Sequence, residues 1–424
     1  MIKFLVKGLI RDRSRSLFPV LVVIAGVSLT VIASAWMAGY EEELISTTAN
    51  FNTGHVKVTT IASAKQGDQI SNDLAILGVD SLLLQLYKNN PNVDWTPRIR
   101  FAGLLDIPNE FGETKDQGPI FGLAINLFDS TSIELKNLNL NNALASGFLP
   151  QKPGEILISK SFAQKLHLKI GETATLISST MHGGLTMQNF TIAGTVEFGI
   201  TAMDRGAMIA DISDMQTALD MPDGAGEILG FFKNAFYSQQ QADEITANFN
   251  AAYPDTSNEF ALTMFTLRDE SGLAEILDML SRFSGAIIGI FLFAMSLVLW
   301  NAGLMGSLRR YREIGIRLAI GEHKGHIFRS LLLESIMIGL IGSSLGTALG
   351  LAVSYYLQIK GFDISSITQQ SSLLVSNVLR AKVSPTSYFI GFIPGLLAMI
   401  LGTAIAGVGI FKRQTAQLFK ELEA

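Results

Sequence analysis

The chain has 424 residues, 48% of them hydrophobic and only 16% charged. A soluble protein of ordinary composition carries about a quarter charged residues, so the deficit points to a membrane. The 32 basic and 37 acidic residues leave a net charge of −5, which excludes a basic nucleic-acid binder. The absence of cysteine rules out disulfides and thiolate chemistry, and five scattered histidines without an H-E-x-x-H pattern offer no metal site.

Residues 1–16 form a basic amphipathic segment carrying Lys3, Lys7, Arg11, Arg13 and Arg15. Residues 17–40 are uncharged, and at 1.5 Å per residue they reach about 36 Å, enough for a hydrocarbon core of about 30 Å. Ala33-Ser34-Ala35 resembles a signal-peptidase site. The apolar run nevertheless exceeds the roughly 7–15 residues of a signal-peptide core. Glu41, Glu42 and Glu43 continue the helix outward as a solvated face, so a retained first span is expected.

Residues 41–282 hold 30 acidic and 15 basic residues and are long enough for one large domain or two small ones. Gly54-His55-Val56-Lys57-Val58 alternates as a strand; Asp80 is placed to cap a helix through Leu83 and Leu86 that Pro91 stops; 93–107 returns as a strand. A second β-α-β pattern follows late in the segment. There, 227–233 is a strand, Ser238 with Gln241 has capping-box spacing, Ile245 and Phe249 share a face, Pro254 ends the helix, and 260–267 is a strand. Between the two units lie strands at 155–159, 173–178 and 190–197 and a short helix at 160–168. The expected fold is therefore an α-helical membrane protein with four transmembrane helices and a large extracytoplasmic α/β domain. That domain is a discontinuous α/β lobe with an inserted β-rich lobe at about 118–222, tied to the spans by stalks at 41–52 and 271–282. His55, His167 and His182 stand alone, and Asp204 and Asp211 are followed by no calcium loop, so no metal is expected.

The remaining spans are 283–308, 327–359 and 388–411, separated by a loop at 309–326 and a short outer loop at 360–387, with a tail at 412–424. Lysines and arginines cluster before the first span, between the second and third (Arg309, Arg310, Arg312, Arg317, Lys324, Arg329) and after the fourth (Lys412, Arg413, Lys420). The positive-inside rule puts these segments in the cytoplasm and the domain outside. The third span carries Gly342, Gly346 and Gly350 at four-residue spacing, beside Gly339 and Ser343; the second has Gly285 and Gly289, the fourth Ala398, Gly402 and Ala406. Small residues at this period let helices approach closely in lipid. Glu334 lies at the start of the third span, where snorkelling toward Arg329 or Lys324 is expected. Pro394 is a candidate kink in the fourth. Four helices rarely enclose a path for a large substrate, so two permease chains are expected to pair. Trp36, Met37, Tyr40, Phe291 and Phe293 are candidates to line a cavity for acyl chains, or else face lipid.

In the loop, Leu308, Tyr311, Gly315 and Leu318 make an apolar stripe, and Arg309, Glu313 and Arg317 an i, i+4, i+8 charge ladder on a short helix ending near Gly321. Such a helix either lies on lipid headgroups or docks into a cytoplasmic protein. No G-x-x-x-x-G-K-[ST] phosphate loop occurs, so nucleotide chemistry must come from a partner.

The run Arg310-Tyr311-Arg312-Glu313-Ile314-Gly315-Ile316-Arg317-Leu318-Ala319-Ile320-Gly321, followed by Leu333-Glu334 and the glycines of the third span, resembles the FtsX/MacB-type ABC transporter permeases. Thr53-Gly54-His55-Val56 and Pro153-Gly154-Glu155-Ile156 are most similar to the lipoprotein-releasing, LolC/LolE-type branch. The resemblance implies that Arg312, Glu313, Ile314, Gly315, Ile316 and Arg317, through Gly321, form a coupling helix docking an ABC ATPase dimer. ATP and Mg would be held by that partner, with no cofactor on this chain and no ATPase fused to it. It further implies a bacterial inner-membrane permease, paired with a second permease, that extracts lipoproteins or other lipidic cargo from the outer leaflet. The alternatives within the family are a MacB-like tripartite efflux permease and an FtsX-like regulator of a cell-wall hydrolase.

Overall fold

The computed structural model describes residues 13–67, 69–70, 72–109, 111–129, 132–233, 237–254, 258–269, 273–308, 311–363 and 378–412. The chain divides into two compact units: Met1–Glu42, Met279–Phe362 and Leu379–Ala424 form one, Glu43–Asp278 and Asp363–Val378 the other.

The first unit is helical. Helices long and apolar enough to cross a membrane run over Leu17–Thr53, Ala274–Asn301, Lys324–Lys360 and Pro385–Val408. The first belongs to a helix of 36 residues, α1 (Arg13–Thr48), that runs without a break from the apolar span through the acidic residues after it.

In the second unit, strand β1 (Val56–Thr60) is followed by α2 (Val79–Asn89) and a 16-residue strand, β2 (Val93–Pro108), antiparallel to β3 (Thr114–Ile125). Helix α3 (Glu134–Asn137) and the edge strand β4 (Leu144–Gly147) lead to β5 (Glu155–Ser159), α4 (Lys160–Lys165), β6 (Thr173–Ser179) and β7 (Leu185–Val196). Then come β8 (Ala207–Asp211), α5 (Ile212–Ala218), β9 (Glu227–Phe232), α6 (Gln239–Ala252) and β10 (Leu262–Thr266).

The discontinuous lobe is the sheet β10-β1-β9-β2, antiparallel throughout. Helices α2 and α6 cover one face, burying Leu82, Leu86, Ile245 and Phe249 on Val56, Val58, Trp95 and Ile228. The free edge of β10 is blocked: the Asn250 side chain on α6 accepts from the Met264 N–H (2.8 Å) and donates to its carbonyl (3.0 Å), which closes a row of groups that could otherwise recruit a strand.

The inserted lobe is a closed barrel, which the sequence does not reveal. From residue 99 onward β2 leaves β9 and pairs with β3 on one side and β6 on the other. β3 continues to β8, β8 to β5, β5 to β7, and β7 back to β6, closing six strands on themselves. Phe101, Leu105, Ile156, Ile158, Leu176, Phe190, Ile192 and Met208 fill its interior. The barrel thus draws its first strand from residues ahead of 118, and β2 is common to both lobes.

Two helix starts differ from the sequence reading. Gly78, with φ +72°, is the N-cap of α2, and Asp80 instead donates its N–H to Asp223 Oδ1 (2.9 Å), a residue remote in sequence. Ser238 is the N-cap of α6 but makes no side-chain cap bond, so the capping box does not form.

At the junction of the lobes, Arg98 and Glu134 are fully buried and paired through two bonds of 2.7 Å, with Thr96 Oγ1 donating to the same carboxylate (2.9 Å). Arg98 is the last β2 residue paired with β9, and Glu134 comes from α3 beyond the first barrel strands. His55 is buried as well, its Nδ1 accepting from the Phe232 N–H (3.0 Å) against the Phe231, Phe232 and Tyr237 rings. Burial holds its imidazole down to about 4, so it is neutral in the fold. The preceding Gly54 has φ +63° and an added Cβ would lie 3.0 Å from Leu229 Cβ, so the Gly-His pair is the tight entry from α1 into β1.

Two outcomes follow from this burial. Glu134→Gln leaves the Arg98 charge unpaired in the interior and is expected to cost about 3–5 kcal/mol in denaturant unfolding of the large domain. His55 takes up its proton only below its ordinary value of 6.5, after the unfolded chain has done so. Stability is therefore complete above pH 6.5, declines as pH falls toward 4, and levels off below, for a total of roughly 3 kcal/mol. A pH series of unfolding, read by the fluorescence of the buried Trp95, should show this dependence flattened in His55→Gln.

Candidate functional site in the spans and the loop helix

Two ridges meet in the membrane unit. Val23, Val27 and Val31, on one face of α1, are fully buried. They face Gly342, Gly346 and Gly350 of the third-span helix, which begins at Lys324. A Cβ added at Gly346 would stand 2.8 Å from Val27 Cβ and 2.9 Å from the Ile24 carbonyl, and one at Gly350 2.8 Å from Val31 Cβ. The backbones approach closely enough for Ser28 Oγ on α1 to lie 3.0 Å from the Gly346 carbonyl. Dispersion and such polar contacts drive helix association where lipid removes the hydrophobic incentive.

The fourth span completes the contact. Gly391 and Gly395 lie against Val27, Gly339 against the Gly395 carbonyl, and Gly402 against that of Trp300. Pro394 sits in a π-helical stretch, Ile393–Ala398, that precedes an α-helix from Met399 to Lys412. Ala398 and Ala406 are buried. The second span behaves differently: an added Cβ at Gly285 or Gly289 meets nothing within 4 Å among the described residues. That span is α7 (Leu273–Leu308), and it leaves Phe283, Ile287, Ile290, Phe293 and Leu297 exposed.

The candidate cavity residues are distributed as follows. Trp36, Met37 and Tyr40 are half-buried at one end of the first span, with the Trp36 ring 5.6 Å from Phe362. Beside them the backbone at 380–382 lies directly on Gly39, where an added Cβ would collide with the Arg380 carbonyl. The Lys382 N–H donates to the Ala35 carbonyl (2.9 Å), and its ammonium reaches Glu42 at 2.8 Å. Phe291 is half-buried whereas Phe293 is 72% exposed. Two positions apart on a helix, they point to opposite faces and do not line one wall together.

The loop helix is α8 (Tyr311–Ala319), followed by α9 (Lys324–Lys360), which contains the third span. Arg309 lies outside the described residues, as do the side chains of Tyr311, Arg312 and Glu313. Ile314 and Gly315 are buried. Ile314 packs with Leu318 on Ile327 and Leu331 of α9, a small core that fixes one face of α8. Ile316 and Ile320, four residues apart, project outward at 50% and 79% exposure. Arg317 forks onto Glu322 with two bonds of 2.7 Å, and His326 Nδ1 meets the same carboxylate at 2.7 Å. The Arg317 bonds, and then that to His326, hold the Glu322 carboxyl below its usual range. Neither Glu322 nor His326 stands out in the sequence; their i, i+4 spacing is the only signal. Gly321 ends the helix with φ +93°, a conformation that needs glycine. Glu334 is half-buried within α9. No group of three or more potential metal ligands occurs among the described residues.

Residues 16–252 match the MacB-like periplasmic core domain, and residues 285–415, which include α8 and the glycine ridge, match the FtsX-like permease C-terminal domain. The chain belongs to the FtsX/MacB-type ABC transporter permeases. It is 22% identical over 351 residues to the lipoprotein-releasing system transmembrane protein LolC of Xylella fastidiosa (strain 9a5c), covering 81% of this chain and 77% of that LolC. It is 24% identical over 379 residues to the macrolide export ATP-binding/permease protein MacB of Campylobacter fetus, covering 85% of this chain and 54% of that protein, so it spans about half the length of this MacB. The crystal structure of the periplasmic region of MacB from Actinobacillus actinomycetemcomitans aligns with a TM-score of 0.35 and 11% identity, over 52% of this chain and 92% of that one.

In this permease, Gly346→Ala should lower thermal stability in detergent by about 1–3 kcal/mol through overpacking. Val27→Ala in the same chain should recover part of the loss, whereas Gly285→Ala should leave stability unchanged.

Proposed function

We propose that this permease is the membrane subunit of an ATP-driven transporter whose ATPase is a separate chain docking on α8. In this reading the loop bearing α8 and both termini face the cytoplasm of a bacterial inner membrane, and the large domain lies on the outer side. Lysine and arginine are densest beside the spans on one side, with only Arg282, Lys360, Arg380 and Lys382 close to them on the other, and the domain segment is strongly acidic, in support of that orientation.

The observation that carries the proposal is the two-sided character of α8. One face is anchored by Ile314 and Leu318 to the third-span helix, while Ile316 and Ile320 are presented outward. A helix bound only to headgroups has no need of such an anchorage; one that must receive force from a protein does. Motion at α8 would pass along α9, across the glycine ridge to α1, and out along α1 toward the large domain. A second permease, or lipid, would cover the exposed face of α7.

The cargo read most directly is a lipoprotein or a similar acylated molecule. LolC is matched over most of its length, and it is named for lipoprotein release. Trp36 and Phe362 at the end of the first span offer apolar surface for acyl chains.

Ile320→Asp places a charge in the docking face without touching the fold, and it should abolish co-purification of the ATPase with the full-length permease. Retention of the ATPase at wild-type yield would refute docking through α8. Mass spectrometry of the wild-type complex should find acylated protein or lipid bound to it.

A further inference from the structure

Helix α8 ends in a defined motif. The Glu322 N–H donates to the Arg317 carbonyl (3.0 Å) and the Gly321 N–H to the Leu318 carbonyl (3.1 Å), with Gly321 in the left-handed region. This is the 6→1 and 5→2 pairing of a Schellman C-terminus. That motif brings the side chains of the first and sixth residues together, usually as an apolar contact. Here the two positions are Arg317 and Glu322, and the contact is a two-pronged ion pair at 2.7 Å. The same carboxylate receives His326 from the first turn of α9. One side chain in the turn therefore holds both the end of α8 and the start of α9.

We propose that Glu322 is a positioning residue for force transfer, clasping Arg317 and His326 so that α8 and α9 turn as a single lever. The proposal rests on the reading of α8 as the ATPase-docking helix. The apolar core of Ile314, Ile327 and Leu331 keeps the two helices in contact, but it is non-directional. Directional bonds from a planar guanidinium fork restrict the angle between the helices. Pairs this exposed contribute little to folding stability, so the clasp acts on geometry.

The test has two readouts, of which one needs no ATPase. The chain has no cysteine, so Ala319→Cys, at an exposed position on α8, takes a single nitroxide. In the otherwise wild-type permease its spectrum should be that of an immobilised helix end, and it should sharpen in Glu322→Gln. Glu322→Asp should give an intermediate spectrum, and so should exchanging the partners (Arg317→Glu with Glu322→Arg), which re-forms the pair with position 317 but leaves no carboxylate for His326. In the complex, Glu322→Gln should still co-purify with the ATPase while permease-dependent stimulation of ATP turnover falls several-fold. An unchanged spectrum in Glu322→Gln overturns the clasp. Loss of co-purification in Glu322→Gln overturns it too, since Glu322 would then be a docking contact. If Ile320→Asp retains the ATPase while the spectrum responds as stated, the docking reading fails and the clasp between α8 and α9 stands.

Discussion

The membrane unit depends on one contact, the seating of Gly342, Gly346 and Gly350 on Val23, Val27 and Val31. In lipid, two apolar helices gain nothing by hiding from solvent, so they stay together only where their surfaces interlock. Three missing side chains on one helix and three β-branched ones on the other supply that fit, and the serine bonded across it adds a polar tie. The helix carrying the glycines is the one to which the loop helix is anchored, and the helix carrying the valines leads toward the large domain.

The second span is less engaged in that arrangement. Side chains added at Gly285 and Gly289 would meet nothing among the described residues, and Phe283, Ile287, Ile290, Phe293 and Leu297 are open, while Leu299 is fully buried beside Gly26. The unequal burial of the spans separates a closely packed group of three helices from one that joins it at Leu299 and Trp300 and leaves its outer surface to lipid or another protein.

The large domain shows a comparable economy. A single long strand supplies the edge of one sheet and a stave of a closed barrel, so neither lobe can shift without bending β2. At the change of partners sits the fully buried Arg98–Glu134 pair. Removing two charges from water is costly and the pair adds little net stability over apolar residues. Its directional bonds instead specify how α3 lies over the junction. The neutral, buried His55 marks the entry from α1 in the same way.

The amino-acid sequence by itself determined the four spans, the discontinuous α/β lobe, the loop helix and the family, because each depends on a local quantity: charge-free length, alternation, or a contiguous motif. The glycine spacing likewise showed which face of the third span was suited to close approach, though not what would meet it. Closure of the barrel was decided only in three dimensions, since it requires β2 to pair with both β3 and β6, and strand partners are chosen by packing between residues far apart in the chain. The same holds for Asp223 capping α2 and for Arg98 finding Glu134. Glu322 shows the limit most clearly. In the sequence it is one acidic residue after a glycine, and its role appears only when the helix terminates and the turn carries its carboxylate to a guanidinium and an imidazole at once.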